Sequence, residues 1–174
     1  QEFEIVKDPR LPNTSEDYQR QFDFLIKVRD KVSEAHQAIL DIRSVRKDLD
    51  YIKGKLGPEE QYAEVKKLMA SLDKDMGVIE NNIHQTNNQS VQDAINYGIR
   101  LNNRLAFLMA DQQRGDFPPT DQALEVREQI SVEIDKELDD LEKVWVEELG
   151  KLNDMIKALG ISPIKAPARK ERKP

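Results

Sequence analysis

The stretch that decides the fold is "YQRQFDFLIKVRDKVSEAHQAILDIRSVRKDLDYIKGKL", residues 18–56. Its apolar positions are Tyr18, Phe22, Leu25, Val28, Val32, Ala35, Ile39, Ile42, Val45, Leu49, Ile52 and Leu56. The mean step is about 3.5 residues, the spacing of a helix packed along one seam. About 40 residues at 1.5 Å each make a rod of about 60 Å. Upstream, "TSED" offers a hydroxyl N-cap at Thr14 or Ser15, with acids in the first turn. Downstream, "KLGPEE" stops the helix. Gly57 is expected to take a left-handed cap and Pro58 to open the next helix. So short a turn sends the second helix back antiparallel.

The second helix carries Tyr62, Val65, Met69, Leu72, Met76, Ile79 and Ile83, in steps that alternate between three and four. The pattern fails at "HQTNNQSVQD", residues 84–93, where amides and hydroxyls favour local backbone bonds over helix. A short third helix starts at Ala94 or Ile99 and runs to Gln113. "RGDFPPTD" ends it, and Thr120 caps the fourth. The fourth seam is Val126, Ile130, Ile134, Leu138, Leu141, Trp145, Leu149, Leu152, Ile156 and Leu159, closed by Gly160 with Ile161 after it.

The expected fold is therefore all-α: an antiparallel up-down helical bundle. The first and last helices are long, the middle two are shorter, and the cross-section mixes three and four helices. A course of up, down, up, down would bring both ends of the chain together. The expected organisation has three parts. Residues 1–14 are an extended linker, in which residues 3–6 alternate like a strand and read either as the remnant of a preceding β region or as a disordered leader. Residues 15–162 are the bundle, and residues 163–174 a disordered basic tail.

Composition supports this reading. Charged residues are 34% and aromatics only 6%, which suits long amphipathic helices better than sheets. The net charge of -6 makes nucleic acid a poor partner. No apolar run approaches the about 18 residues of a membrane span. No signal-peptide pattern stands at the N-terminus. The chain has no cysteine, which excludes disulfides and thiolate metal sites.

Candidate chemistry is sparse, and no cofactor is expected. Glu80 and His84 are four apart, but a di-iron bundle needs Glu-x-x-His motifs on two helices. A solvated helix pair is the expectation here, and Glu34 and His36 face different ways. The acids of residues 135–150 alternate with Leu138, Leu141, Trp145 and Leu149, so they read as an outer face and Trp145 as packing. The remaining motif is "RLNNR": Arg100, Asn102, Asn103 and Arg104. Asn102 lies at the edge of the Leu101, Leu105 and Leu108 seam, where a buried amide can pin register. It is expected to bond backbone groups of the irregular stretch. A ligand site near Arg100 and Asn102 is the alternative.

"FEIVKDPRL" (residues 3–11), "QRQFDFLIKVRDKVSEAHQAILDIRSVRKDL" (19–49), the run from "QTNNQ" to "ELDDL" (85–141) and "GISPI" (160–164) resemble one known pattern. It is that of the C-terminal part of large secreted bacterial sortilin-like, BNR-repeat β-propeller proteins, often labelled glycosyl-hydrolase-like. The family pattern commonly has prolines where Ala94 and Gly98 stand here. The resemblance implies a helical accessory domain after a propeller and a small β region, export to the periplasm or cell surface, and no active site in this part. The expected function is thus a non-catalytic interaction or spacer domain. Its expected partners are its own propeller and β region or another protein. A self-associating helical adaptor is the first alternative, and an enzyme or ligand-binding bundle the second.

Overall fold

The computed structural model describes residues 2–4 and 6–167. Its helices are α1 (Ser15–Lys55), α2 (Ala63–Ile83), α3 (Leu101–Gln112), α4 (Asp121–Lys143) and α5 (Gly150–Ala158). A π-helical turn, Val144–Leu149, joins α4 to α5 with helical backbone on both sides, so residues 121–158 form one rod. Short 3-10 turns occupy Glu60–Tyr62 and Val91–Ile95. The protein is an all-α antiparallel bundle of two long and two shorter helices. No described residue is in a strand. No helix among the described residues is long and apolar enough to cross a membrane.

The course of the chain differs from the expected one. Following α1 backwards, Arg46 pairs with Asp73 and Glu80, His36 with Asn102, and Gln21 with the carbonyl of Gln112. Partner numbers rise steadily, so α2 and α3 both run against α1, one after the other. Lys31 pairs with Asp135, and Phe24 lies under Arg127, so α4 runs parallel to α1. The course is up, down, down, up. The chain enters the bundle at one end and leaves at the other, so the expected meeting of the two ends is corrected. The cause is Gln85. Its side chain is buried, and its Nε2 donates to the carbonyl of Gly98 at 2.8 Å. That bond closes residues 85–98 into a loop whose ends meet, and α3 resumes where α2 stopped. At this junction four helical segments lie at one level: α1, the end of α2, the start of α3, and α4 beside them through Asn82–Glu137 and Arg104–Glu133.

The seams hold with local exceptions. A single core joins residues of every helix, from Phe24 on α1 to Ile156 on α5. Phe22 is exposed and Phe24 is buried instead. Six residues of helix turn through about 600°, which leaves Phe22 about 120° from Val28. On α4, Ala123 is buried and Val126 exposed for the same reason, since successive steps of four drift off the seam. The π turn absorbs such drift further on and keeps Trp145, Leu149 and Leu152 inward.

The helix ends follow local chemistry. Thr14 and Asp17 make a capping box on α1. Thr120 Oγ1 accepts the Ala123 N–H at 3.1 Å. Thr120→Ala should cost about 1 kcal/mol, read from a urea-unfolding midpoint. Gly160, at φ 74°, closes α5. Its N–H donates to Lys157 and that of Ile161 to Ile156, a left-handed stop with Ile161 packed on the core. Gly57, in contrast, is not left-handed. Leu56 ends α1 in an extended conformation, and Pro58 precedes a 3-10 turn rather than opening α2.

Packing extends to Ile164, two residues past the expected edge of the bundle. It is 4% exposed, and Asn153 bonds both its N–H and its carbonyl. The expected basic tail lies outside the described residues from 168 onward. At the other end Phe3 and Val6 are exposed and in no strand, and Ile5 lies outside the described residues. Lys7 donates to the carbonyl of buried Asn13 at 2.8 Å.

Candidate functional site

The four expected residues sit at the first turn of α3 and do separate things. Arg100 is the N-cap residue, without a side-chain cap bond, and its Nε is buried with no hydrogen-bond partner. Asn103 is half-buried. Arg104 makes a long, exposed ion pair with Glu133 on α4, 3.5 Å, worth little in water. Asn102 is 3% exposed and central.

Asn102 does not bond backbone groups of the irregular stretch, as the sequence led us to expect; it meets that stretch only through the ring of His84. The backbone bond falls to Gln85. The Asn102 amide Nδ2 instead lies 3.1 Å from His36 Nε2 and 3.3 Å from His84 Nδ1. As an NH2 group it can donate to both rings, which must then be neutral with the proton on their other nitrogen. One amide thus ties α1, the end of α2 and α3 together. The Asn102 carbonyl is buried and unpaired. Burial, with Arg43 next in size and His36 adding to it, holds the His84 ring below the usual histidine range; Glu80 acts the other way.

One helical turn back along α2, Glu80 is only 3% exposed. The expected solvated pair with His84 is therefore corrected. Arg43 reaches one Glu80 oxygen at 2.8 Å and Arg46 the other, while Arg46 also holds Asp73 at 2.7 Å. A carboxylate on the core side of a helix needs such partners. The signal was in the sequence: Glu80 is four residues after Met76 and three before Ile83, in phase with the seam. Arg43 and Arg46 each follow a core residue, Ile42 and Val45. The need for charge on one helix was legible only with its partner helix in view.

The outer-face reading of the acidic run also has an exception. Glu148, in the π turn, faces Asp75 on α2. Burial first, and then the Asp75 charge, push its carboxyl above the usual range. Trp145 is buried in the core, as a packing residue should be.

An open groove of about 400 Å³ between α1 and α2 is lined by Arg46, Asp50, Lys53, Lys66, Met69 and Asp73. Asn102 and Arg100 do not line it. Among the described residues no group of three or more His, Cys, Asp or Glu side chains is placed to hold a metal ion. The chemistry the cluster can do is to bind helices together and to respond to protons. Compared with protein-family models, curated proteins and solved structures, the chain finds no match.

Proposed function

We propose that this chain is a non-catalytic helical accessory domain, a spacer and docking element, in a larger secreted propeller protein. The observation that carries the reading is the course of the chain. It enters at the base of α1 and leaves beyond α5, at opposite ends of a bundle whose 41-residue first helix is about 60 Å long. Such a rod holds apart whatever is joined to its two ends. Polar groups at the helix contacts tie α1, α2 and α3 together: Asn102 with His36 and His84, Glu80 with Arg43 and Arg46. The connector between α2 and α3, residues 84–100, supplies exposed Ile95, Tyr97 and Ile99 for contact with the propeller. The secreted setting and the propeller rest on the resemblance of residues 3–164.

The test is the longer protein with residues 15–162 replaced by a flexible linker. The propeller should keep its fold and any activity, while the separation and docking of its neighbours change. Activity that depends on Arg100 or Asn102 would put an enzymatic bundle in place of the spacer. A mutant separates the two readings within this chain. Asn102→Ala strands two ring nitrogens and empties buried space, and should cost about 1–3 kcal/mol in denaturant unfolding. Unchanged stability with lost binding to a partner or glycan marks a ligand site.

A further inference from the structure

We propose that Asn102, His36 and His84 form an acid-sensitive latch on the α2–α3 junction, closed while both rings are neutral and released when they are protonated. The geometry is that of one donor shared by two acceptors. The Asn102 NH2 faces His36 Nε2 at 3.1 Å and His84 Nδ1 at 3.3 Å. A protonated imidazole has no lone pair to accept with. Protonating either ring therefore sets N–H against N–H. Protonating both can be accommodated only if the amide turns to offer its carbonyl. That places two cations beside a single oxygen and moves the NH2 into the buried position where the carbonyl now has no partner.

Burial and Arg43 oppose charge on the His84 ring, and Glu80 acts the other way. From α1 the cluster meets Arg43. From α2 it meets Glu80, already taken by Arg43 and Arg46. Arg100 and Arg104 stand on the first turn of α3. On α4, Glu133 and Glu137 are engaged by Arg104 and Asn82. Of these groups, Arg43 and Glu80 act directly on the His84 ring, in opposite senses.

The sign follows. The His84 ring is held below its unfolded value of 6.5. Its contribution to stability is full above that value and is lost as pH falls from about 6.5 toward the folded value. The element released is short, with few anchors of its own. α3 has no side-chain N-cap bond and buries only Leu101, Asn102 and Leu105. Acidification should therefore loosen α3 and its connector first, while α1 keeps its core contacts.

The experiment is native-state amide hydrogen exchange on the whole chain at about pH 7.5 and about pH 5.5, with rates corrected for intrinsic exchange. Protection at residues 104–112, the hydrogen-bonded amides of α3, should fall several-fold at the lower pH relative to the centre of α1. The double variant His36→Gln/His84→Gln keeps an acceptor at each position and cannot titrate there, so its protection should match at the two pH values. Equal wild-type protection at both overturns the latch. So does an equal drop in the double variant, which would assign the effect to another group such as Glu148. If the double variant does not fold, the wild-type ring spectra decide: His84 titrating at or above the ordinary histidine value overturns the proposal, and titration below it together with the loss of α3 protection supports it.

Discussion

Replacing Arg43 and Arg46 together with alanine should destabilise the bundle by about 3–5 kcal/mol. The Glu80 side chain is 4% exposed, whereas Arg43 and Arg46 are 52% and 30% exposed. The arginines can be hydrated without the glutamate, but the glutamate cannot be hydrated without a shift of α2. The loss therefore measures a stranded buried carboxylate, not the strength of two ion pairs. This reading has a second consequence. Adding Glu80→Met to the double variant should recover most of the stability, because an apolar side chain of similar length suits the same site. Urea-unfolding midpoints of the double and triple variants check both. A double variant that loses under about 1 kcal/mol would place Glu80 with ordinary surface pairs.

Leu105→Ala should cost about 2–5 kcal/mol, and its damage should be local. Leu105 is 0% exposed and is one of three buried residues on the 12-residue α3. A helix that short is marginal in water without packing. With its anchor truncated, α3 should open before the rest of the bundle, and exchange across residues 104–112 should rise while the centre of α1 remains protected. A uniform rise along the whole chain would show that α3 is not a separate weak unit. A loss under about 1 kcal/mol would show that Leu105 is not its anchor.

What was legible in the sequence is what repetition makes legible. The α2 seam runs from Val65 to Ile83 without a break, and every one of these members is buried; Tyr62, expected to open it, falls in the 3-10 turn and is half-buried. So long a run averages out local errors. The end of α2 at Ile83, where the amides begin, is equally local. Phe22 failed because only phase, not hydrophobicity, tells it from Phe24. The direction of α3 failed for a different reason. It depends on one bond between Gln85 and Gly98 and on Asn102 meeting His36, 66 residues away. No periodicity records such pairings. In the candidate site, the sequence placed Asn102 at the seam as a buried amide, and it is buried, but its partners had been read apart: His84 in a solvated pair with Glu80, and His36 only as facing a different way from Glu34. A polar side chain next to a core position turns inward only if the facing helix supplies its complement, and that complement is a property of the fold.

α2 and α3 form one interrupted rod, so that the chain crosses the bundle from end to end. The chain has no cysteine, so Ser15→Cys and Ala158→Cys can be spin-labelled without background, and both sites are exposed. Pulsed dipolar spectroscopy on the pair should give a separation of roughly 50–60 Å, the length of the α4–α5 rod. A separation below about 25 Å, a few helix diameters, would mean that the ends meet. That result would contradict the chain course and, with it, the spacer.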